Sequence, residues 1–274
     1  MSLVTLPYSV LLLLVEFCIG GQIVLYAVDL RGLVTRSYVK MSAAMVSAGA
    51  ALALWLALAI SPSSSIDGYI LAKRFFAPSR VMLAVFLILA LGYTWYVSRE
   101  ERRESIAAGG LASVAAVLAL GLISAIVQQP TWSYAGTLLS LLAGGLALGG
   151  VTLAMTLGHW YLVTPRLPEQ PLNEMTLGLL GILGIQVILL LVNLLLPVRH
   201  PPPSVGVGIL QNPAFWLRVA VGILFPIGLS FMAWQSSRER GMMSATGLLY
   251  LATGAVMAGE ALACALLFST AIPG

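Results

Sequence analysis

Residues 134–166 read YAGTLLSLLAGGLALGGVTLAMTLGHWYLVTPR, and this stretch decides the class of fold. It holds no Asp, Glu, Lys or Arg before Arg166, and its residues up to 157 are almost entirely apolar. An α-helix needs about 20 apolar residues to cross the hydrocarbon core of a bilayer. The stretch therefore predicts a transmembrane helix. That helix closes on a histidine, two aromatic residues and a cation, namely His159, Trp160, Tyr161 and Arg166.

The composition of the whole chain agrees with this prediction. Apolar residues make up 59% of the 274 residues and charged residues only 9%, whereas a soluble domain carries about 25% charged residues. Eight apolar runs are long enough to span a bilayer, and none alternates like the strand of a membrane β-barrel. We therefore predict an all-α integral membrane protein with eight transmembrane helices. The helices are predicted at about 6–28, 41–60, 80–97, 106–127, 134–157, 176–197, 213–235 and 246–269.

Basic residues in the predicted loops indicate the orientation of the chain. The first, third, fifth and seventh loops hold nine of the 14 Lys and Arg residues, and cytoplasmic loops are normally the richer in these residues. We therefore expect a bacterial-type cytoplasmic (inner) membrane, with both termini on the outer side. The two longest loops, at about 61–79 and 198–212, would then lie outside. Each is either a simple surface connection or a docking surface for an extracytoplasmic partner.

The two halves of the chain resemble each other. Trp95–Glu100 (WYVSRE) matches Trp234–Glu239 (WQSSRE), and Gly20-Gly21 matches Gly149-Gly150. Such glycine pairs also let helices approach closely. Each half holds four spans, and an even number gives both halves the same direction across the membrane, unlike the inverted repeats of many transporters. We predict two parallel four-helix repeats, residues 1–128 and residues 129–274.

Three ionisable side chains lie inside predicted spans, where such groups usually face a bundle interior or a water path. Glu16 and Glu260 each lie roughly 15 Å from the outer face, so their carboxyl groups are level if the first and last spans are neighbours. Because burial favours the neutral form of a carboxyl group, both are candidates for a proton relay or for a polar contact with a quinone. The alternative is a protonated glutamate that only hydrogen-bonds a neighbouring helix. Neither has an acidic counterpart in the other half, which predicts one site per molecule.

Arg218, near the outer end of the seventh span, has three interpretations. It could pair with one of the glutamates, bind an anionic head group, or extend to the outer interface, and we favour the last. Cys18 and Cys264, each close to one of the glutamates, are expected only to pack. The remaining polar residues in the spans are expected to hydrogen-bond between helices. They are Gln22, Gln186 and Asn193.

The segment His159-Trp160-Tyr161 forms a second candidate site, at the inner end of the fifth span. The histidine could ligate haem, contact a quinone carbonyl or shuttle a proton. Alternatively it is an interfacial histidine bonded to a backbone carbonyl, which we favour. Haem b would need a second histidine at similar depth, and His200 is expected at the opposite face. The Leu-Val-Thr that follows repeats residues 33–35, so we expect this part to be a shared way of ending a helix.

No motif of an autonomous enzyme is present in the sequence. It contains no Walker A loop, no GxSxG, no HExxH and no paired aspartate motif for polyprenyl diphosphate chemistry. The two cysteines and two histidines also lack the spacing of metal ligands. We therefore expect no catalytic residue and no bound metal. The chain is at most a non-catalytic or quinone-binding subunit of an oxidoreductase complex.

Three short segments within the spans carry a resemblance to a known family. They are Cys18–Leu25 in the first span, Phe215-Trp216 with Gly222 and Pro226 in the seventh, and Ala258–Leu262 in the last. Together with eight spans and no haem ligands, they resemble the membrane-anchor subunits of the polysulfide reductase and DMSO reductase group (NrfD/DmsC-like). The resemblance implies a heme-free quinol-binding subunit that passes electrons to an iron–sulfur or cytochrome partner.

These observations lead to one functional expectation and two alternatives. We expect a membrane subunit of a respiratory or photosynthetic electron-transfer complex that interacts with quinone and anchors redox partner subunits. Its ligands would be quinone and lipids, and its partners would include iron–sulfur or cytochrome proteins. A nucleic-acid partner is not expected, because the basic residues sit in short loops that orient the spans. The alternatives are a structural or assembly subunit without a ligand of its own, and a small-solute or ion transporter.

Overall fold

The structure is a computed structural model that describes residues 4–128, 133–164, 167–196 and 209–273. Within these ranges, eight helices are long and apolar enough to cross a membrane, which confirms the predicted all-α, multi-pass fold. They are α1 (Leu6–Arg31), α2 (Arg36–Ala59), α3 (Phe76–Ser98), α4 (Arg102–Val127), α5 (Tyr134–Val163), α6 (Gln170–Leu195), α7 (Pro213–Arg238) and α8 (Met242–Thr270). Arg166, His200 and most of the predicted loop at 198–212 lie outside the described residues.

The helices extend further into the polar regions than the apolar runs predict. α5 continues to Val163 rather than ending near 157, and α6 begins at Gln170 rather than near 176. Hydropathy marks the part of a helix inside the hydrocarbon core, whereas capping residues decide where its hydrogen bonding ends. α1 ends at Gly32, whose φ of 66° is the left-handed conformation that favours glycine. The predicted shared helix end is therefore wrong, because residues 33–35 form a loop whereas Leu162 and Val163 are helical.

The loop between α2 and α3 is folded onto the bundle. Its elements are an antiparallel hairpin, β1 (Ser65–Ile66) and β2 (Tyr69–Ile70), and a 3-10 turn at Lys73–Phe75. Tyr69 is fully buried, donates its hydroxyl proton to the Val127 carbonyl and packs edge-on against Phe268. This burial raises the pKa of the Tyr69 hydroxyl above its ordinary value. The loop is thus a cap that contacts α4 and α8 as well as a surface connection.

The start of α1 and the end of α8 lie at one end of the bundle, called the terminal face below. Tyr8, near the start of α1, donates a hydrogen bond to the carbonyl of Ser61, which follows α2. Its ring also packs edge-on against Phe268 near the end of α8. The turn between α1 and α2, with Arg31 and Arg36, therefore lies at the opposite face. The terminal face is the one that we predict to lie outside the cytoplasm.

The two halves have the same neighbour order. In the first half α1 packs on α2, α2 on α3, α3 on α4 and α4 on α1, and α5–α8 repeat this order. The matched tryptophans also behave alike. The guanidinium carbon of Arg99 lies 4.6 Å from the ring centre of Trp95, and that of Arg238 lies 4.9 Å from the ring centre of Trp234. The duplication itself stays a prediction, to which this arrangement conforms.

α1 and α5 touch backbone to backbone where they cross. A methyl group added at Gly20 would lie 1.8 Å from the carbonyl oxygen of Gly145, and one at Gly149 would lie 2.1 Å from the backbone nitrogen of Gly21. No side chain fits at such distances unless a helix moves. The expectation that these glycines serve close helix approach is confirmed. The crossing also fixes the position of Glu16, which lies about one turn before Gly20.

Large apolar side chains cover the outside of the bundle. Trp55, Ile88 and Leu195, for example, are 67%, 67% and 83% exposed. Contiguous apolar surface of this kind is rare on soluble monomers and is the expected covering of helices that face lipid. The interior is also mainly apolar, so the few polar groups inside it stand out.

Candidate functional site

Glu16 of α1 and Glu260 of α8 meet beside Gly144 of α5. A methyl group at Gly144 would lie 2.6 Å from Glu260 Oε2 and 3.0 Å from Glu16 Oε1. Because both distances are measured from one point, these two oxygens are at most 5.6 Å apart. Both side chains are buried. The prediction that the two carboxyl groups are level is confirmed, and the glycine at 144 leaves the space that they occupy.

Arg218 points into the bundle and pairs with Glu260. Its Nη2 lies 3.1 Å from Glu260 Oε1, and its Nη1 donates to the carbonyl of Gly222 at 3.2 Å. No part of the side chain is exposed. The favoured interpretation, that it extends to the outer interface, is therefore wrong, and the pairing alternative is correct.

The backbone of α7 explains why this arginine turns inward. α7 consists of an α-helical turn (Pro213–Leu217), a π-helical segment (Arg218–Leu224) and an α-helical part (Phe225–Arg238). Such π-helical turns are frequent at functional sites. A methyl group at Gly222 would lie 2.5 Å from the Cα atom of Gly259 and 2.8 Å from Arg218 Nη1. The two glycines thus let α7 and α8 touch and leave room for the guanidinium group.

Gln186 of α6 completes the set of groups around Glu260. Its Nε2 donates to Glu260 Oε1 at 2.7 Å, the same oxygen that Arg218 approaches. Gln186 is thus the helix link that the sequence predicts. Gln186 Oε1 and Arg218 Nε have no hydrogen-bond partner among the described residues. Unpaired buried polar atoms are costly. A water molecule or a ligand group next to these two atoms would give them the hydrogen bonds that they lack.

The cluster has more acidic than basic groups. The guanidinium of Arg218 pairs with Glu260, and among the described residues no cation forms an ion pair with Glu16. A second carboxylate without a cation would be expensive to keep in a membrane interior. Electrical neutrality of the cluster therefore requires one bound proton. A cluster of this composition has the chemical means to take up or release one proton.

The two cysteines near the glutamates differ in what they contact. Cys264 Sγ lies 3.7 Å from Glu16 Oε2, within range of a weak S–H···O hydrogen bond. Cys18 instead donates to the Val15 carbonyl of its own helix at 3.5 Å. The expectation that both cysteines only pack therefore holds for Cys18 and is wrong for Cys264.

The segment His159-Trp160-Tyr161 does not join the cluster. His159 is exposed on α5, and its Nδ1 lies 3.5 Å from the hydroxyl of Tyr250 in α8. Trp160 is half-buried against the apolar interior. Tyr161 is buried and donates its hydroxyl proton to the Pro168 carbonyl. The favoured backbone-carbonyl bond is therefore wrong for His159, whose contact is with a side-chain hydroxyl, and is made by Tyr161 instead.

Comparisons with known proteins do not identify the cluster. The chain matches no protein-family model, no curated protein and no solved structure. The resemblance to the polysulfide reductase and DMSO reductase anchors therefore stays a prediction. In the described ranges, no three or more His, Cys, Asp or Glu side chains are grouped so that they could hold a metal ion. The chemistry of the cluster has to be argued from its own geometry.

An apolar cleft lies between α1, α5 and α6, toward the face opposite to the terminal face. Its volume is about 310 Å³, and a methyl group at Gly178, which lines it, would meet no atom within 4 Å. Arg31 and Glu174, which form an ion pair at 3.3 Å, are its charged lining residues. Ligand pockets commonly have about 300–1,000 Å³. The cleft therefore has room for a quinone ring or the end of a lipid tail.

Asp29, near the end of α1, is a buried acidic residue that the sequence interpretation leaves unassigned. Its Oδ1 pairs with Arg36 at 3.0 Å and with Arg102, and its Oδ2 accepts a hydrogen bond from the Tyr93 hydroxyl at 2.8 Å. These residues tie α1 to α2, α3 and α4 at the opposite face. One feature of the sequence could have pointed to this residue: Asp29 is the one acidic residue beside an otherwise basic turn.

Replacement of Asp29 by asparagine should lower the free energy of unfolding by roughly 1–3 kcal/mol. The change leaves Arg36 and Arg102 next to each other without the carboxylate that pairs with both. Thermal unfolding in detergent can be followed with a thiol-reactive fluorescent maleimide, because both cysteines are buried. Glu174→Gln is the control: it breaks an exposed ion pair, which is worth at most about 1 kcal/mol. Equal effects of the two changes would contradict a structural role for Asp29.

Proposed function

We propose that the chain is a membrane subunit of an electron-transfer complex that interacts with quinone and exchanges protons at the cluster of Glu16, Glu260 and Arg218. Oxidation of a quinol releases electrons and protons. The two electrons pass to an iron–sulfur or cytochrome partner subunit, and the cluster takes up the two protons one after the other, each time after Glu16 has released the proton that it held. The terminal face is the outer side of a bacterial-type cytoplasmic membrane.

One observation carries this proposal: two buried carboxyl groups lie side by side inside an otherwise apolar bundle, and one guanidinium pairs with only one of them, Glu260. Ionisable residues in such positions commonly mark proton relays and ion paths. The pair can gain or lose one proton while the Arg218–Glu260 ion pair remains intact. The unpaired Gln186 Oε1 and Arg218 Nε give water a place to bind beside the carboxyl groups.

The quinone itself is assigned to the cleft between α1, α5 and α6. The cavity that Glu16 lines has a volume of only about 10 Å³, whereas the cleft measures about 310 Å³. Ile23, which lines the cleft, lies roughly 10 Å from Glu16 along the axis of α1. A short chain of water molecules would bridge this distance between the quinol and the carboxyl pair.

Quinol oxidation by the purified complex tests the role of the glutamates. We expect Glu16→Gln and Glu260→Gln each to slow quinol oxidation by roughly 100-fold, as for the loss of a positioned proton-transfer group. Both variants should retain bound quinone, measured by extraction and quantification. Glu16→Gln is the cleaner change, because it leaves the ion pair of Arg218 intact. Gly178→Phe should instead fill the cleft and release the quinone.

Ser47→Ala is the matched control. Ser47 is a buried polar residue whose hydroxyl lies 3.1 Å from Thr94 Oγ1, and it lines neither the cluster nor the cleft. Unaltered quinol oxidation in both glutamate variants would contradict the proton role. Normal oxidation with loss of complex stability would favour a structural or assembly subunit. Solute flux into liposomes that contain the chain would favour a transporter.

A further inference from the structure

The two glutamates differ in their partners. Glu260 accepts hydrogen bonds from Gln186 at 2.7 Å and from the guanidinium of Arg218 at 3.1 Å. Glu16 has the weak thiol donor of Cys264, and among the described residues no cation forms an ion pair with it. If the pair holds one proton, the negative charge is best placed on Glu260. Glu16 then carries the proton.

A small cavity adjoins Glu16 on the side of the terminal face. It has a volume of about 10 Å³ and is lined by Glu16, Cys264, Ser140 of α5 and Pro273, together with apolar side chains. A cavity needs about 10–15 Å³ by this measure to hold one water molecule, so this one has room for a single water at most. The carboxyl group, the serine hydroxyl and the backbone carbonyl of Pro273 are the kinds of polar groups that hold a buried water.

Asn193 of α6 links two of the residues that line this cavity. Its Nδ2 donates to Ser140 Oγ at 3.0 Å and to the Pro273 carbonyl at 2.6 Å. Ser140 and Asn193 are buried, and Pro273 follows α8 at the terminal face. A row of polar groups thus leads from Glu16 to that face, through Ser140 and Asn193, in a region that is otherwise apolar.

We propose that protons leave the carboxyl pair toward the terminal face along this row, and that Glu16 is the group that carries them. Protonated Glu16 donates its proton to a water molecule in the cavity, and this water passes one of its protons to the Ser140 hydroxyl oxygen, whose own proton moves on toward the face. The titratable and charged groups around this step are Glu16, Cys264, Glu260 and Arg218. The inference rests on the proposed function. It adds which residue carries the proton and on which side of the membrane the proton is exchanged.

Dicyclohexylcarbodiimide tests which glutamate holds the proton. This apolar reagent reacts with protonated carboxyl groups: the carboxyl proton moves to a reagent nitrogen, and the carboxyl oxygen bonds to the central carbon. We expect peptide mass spectrometry of the labelled, full-length protein at neutral pH to find the adduct on Glu16. Label on Glu260 instead, or on neither glutamate, would overturn the assignment. This measurement needs no quinone and no redox partner.

Infrared spectroscopy of the carboxyl group in heavy water tests the route. We expect Asn193→Leu and Ser140→Val to slow proton–deuteron exchange of Glu16 by roughly tenfold or more, since the first makes the outer end apolar and the second fills the cavity. Ser124→Ala is the control, because Ser124 is a buried serine of α4 outside the cavity lining. At least one of Asn193→Leu and Ser140→Val is expected to fold. Exchange at the wild-type rate in the folded variants would overturn the proposed route. Suppose that labelling falls on Glu16 and that the two variants slow exchange as expected, but that Glu16→Gln and Glu260→Gln protein oxidises quinol normally. That result would refute only the function proposed above.

Discussion

Replacement of Arg218 by methionine should lower the free energy of unfolding by roughly 3–5 kcal/mol, the range expected when one partner of a buried ion pair is removed. Methionine keeps much of the apolar stem, so the loss is mainly that of the charge. Glu260 would remain in the membrane interior with Gln186 as its hydrogen-bond donor among the described residues. The measurement is thermal unfolding in detergent, reported by the two buried cysteines.

A double variant separates charge from packing. Arg218→Met combined with Glu260→Gln removes both charges, and replacement of a whole buried ion pair by neutral residues is often nearly neutral in stability. The glutamine at 260 can still accept the hydrogen bond from Gln186. We therefore expect the double variant to recover most of the loss. A double variant as unstable as Arg218→Met alone would show that the guanidinium acts through packing.

Arg80 in α3 provides the matched control from the first half of the chain. Its Nε donates to the Ala57 carbonyl at 2.9 Å, and its Nη2 donates to the Ile60 carbonyl. Arg80→Met removes these hydrogen bonds at the end of α2 but strands no buried carboxylate. We expect an effect of about 1 kcal/mol, clearly below that of Arg218→Met.

Hydropathy predicts the eight helices and the depth of the glutamates for one physical reason. The hydrocarbon core requires a continuous apolar helix of fixed length, so a residue count from the membrane face gives a depth. Glu16 and Glu260, counted from the same face, therefore lie at the same level. That they also meet depends on α1 and α8 being neighbours, which a residue count alone cannot provide.

Arg218 shows where a count along the chain fails. Its place near the start of α7 favours a side chain that extends to the interface. Its actual direction depends on the π-helical segment at Arg218–Leu224 and on the contact of Gly222 with Gly259 in α8. Both involve tertiary packing, which has no signature in the apolar pattern. The pairings of Asp29 and Cys264 were missed for the same reason, since their partners lie on other helices.

Gly20→Ala should be strongly destabilising although it adds a single methyl group. In a helix interior, Gly→Ala normally stabilises by up to about 1 kcal/mol. At Gly20 the methyl group would lie 1.8 Å from the carbonyl oxygen of Gly145, which is backbone and cannot rotate away. Overpacking of this kind typically costs about 1–3 kcal/mol, and we expect the upper end because a helix must move. Thermal unfolding should therefore occur at a clearly lower temperature than in the wild-type protein.

Gly92→Ala is the control for this change. Gly92 lies in α3, and a methyl group there would meet no atom within 4 Å, so stability should stay the same or rise slightly. The two substitutions are chemically identical and both lie within membrane helices. A difference between them therefore measures the α1–α5 crossing itself. Equal melting temperatures would contradict the backbone contact at the crossing.

The Gly20→Ala substitution also tests whether the crossing of α1 and α5 positions the carboxyl pair. Glu16 lies about one turn from Gly20, and its backbone carbonyl would lie 2.9 Å from a methyl group at Gly145. If α1 moves away from α5, Glu16 moves away from Gly144 and Glu260. We therefore expect Gly20→Ala protein that does fold to show altered carbodiimide labelling of Glu16, whereas Gly92→Ala protein labels like the wild type. Wild-type labelling of folded Gly20→Ala protein would mean that the glycine crossing does not position the carboxyl pair.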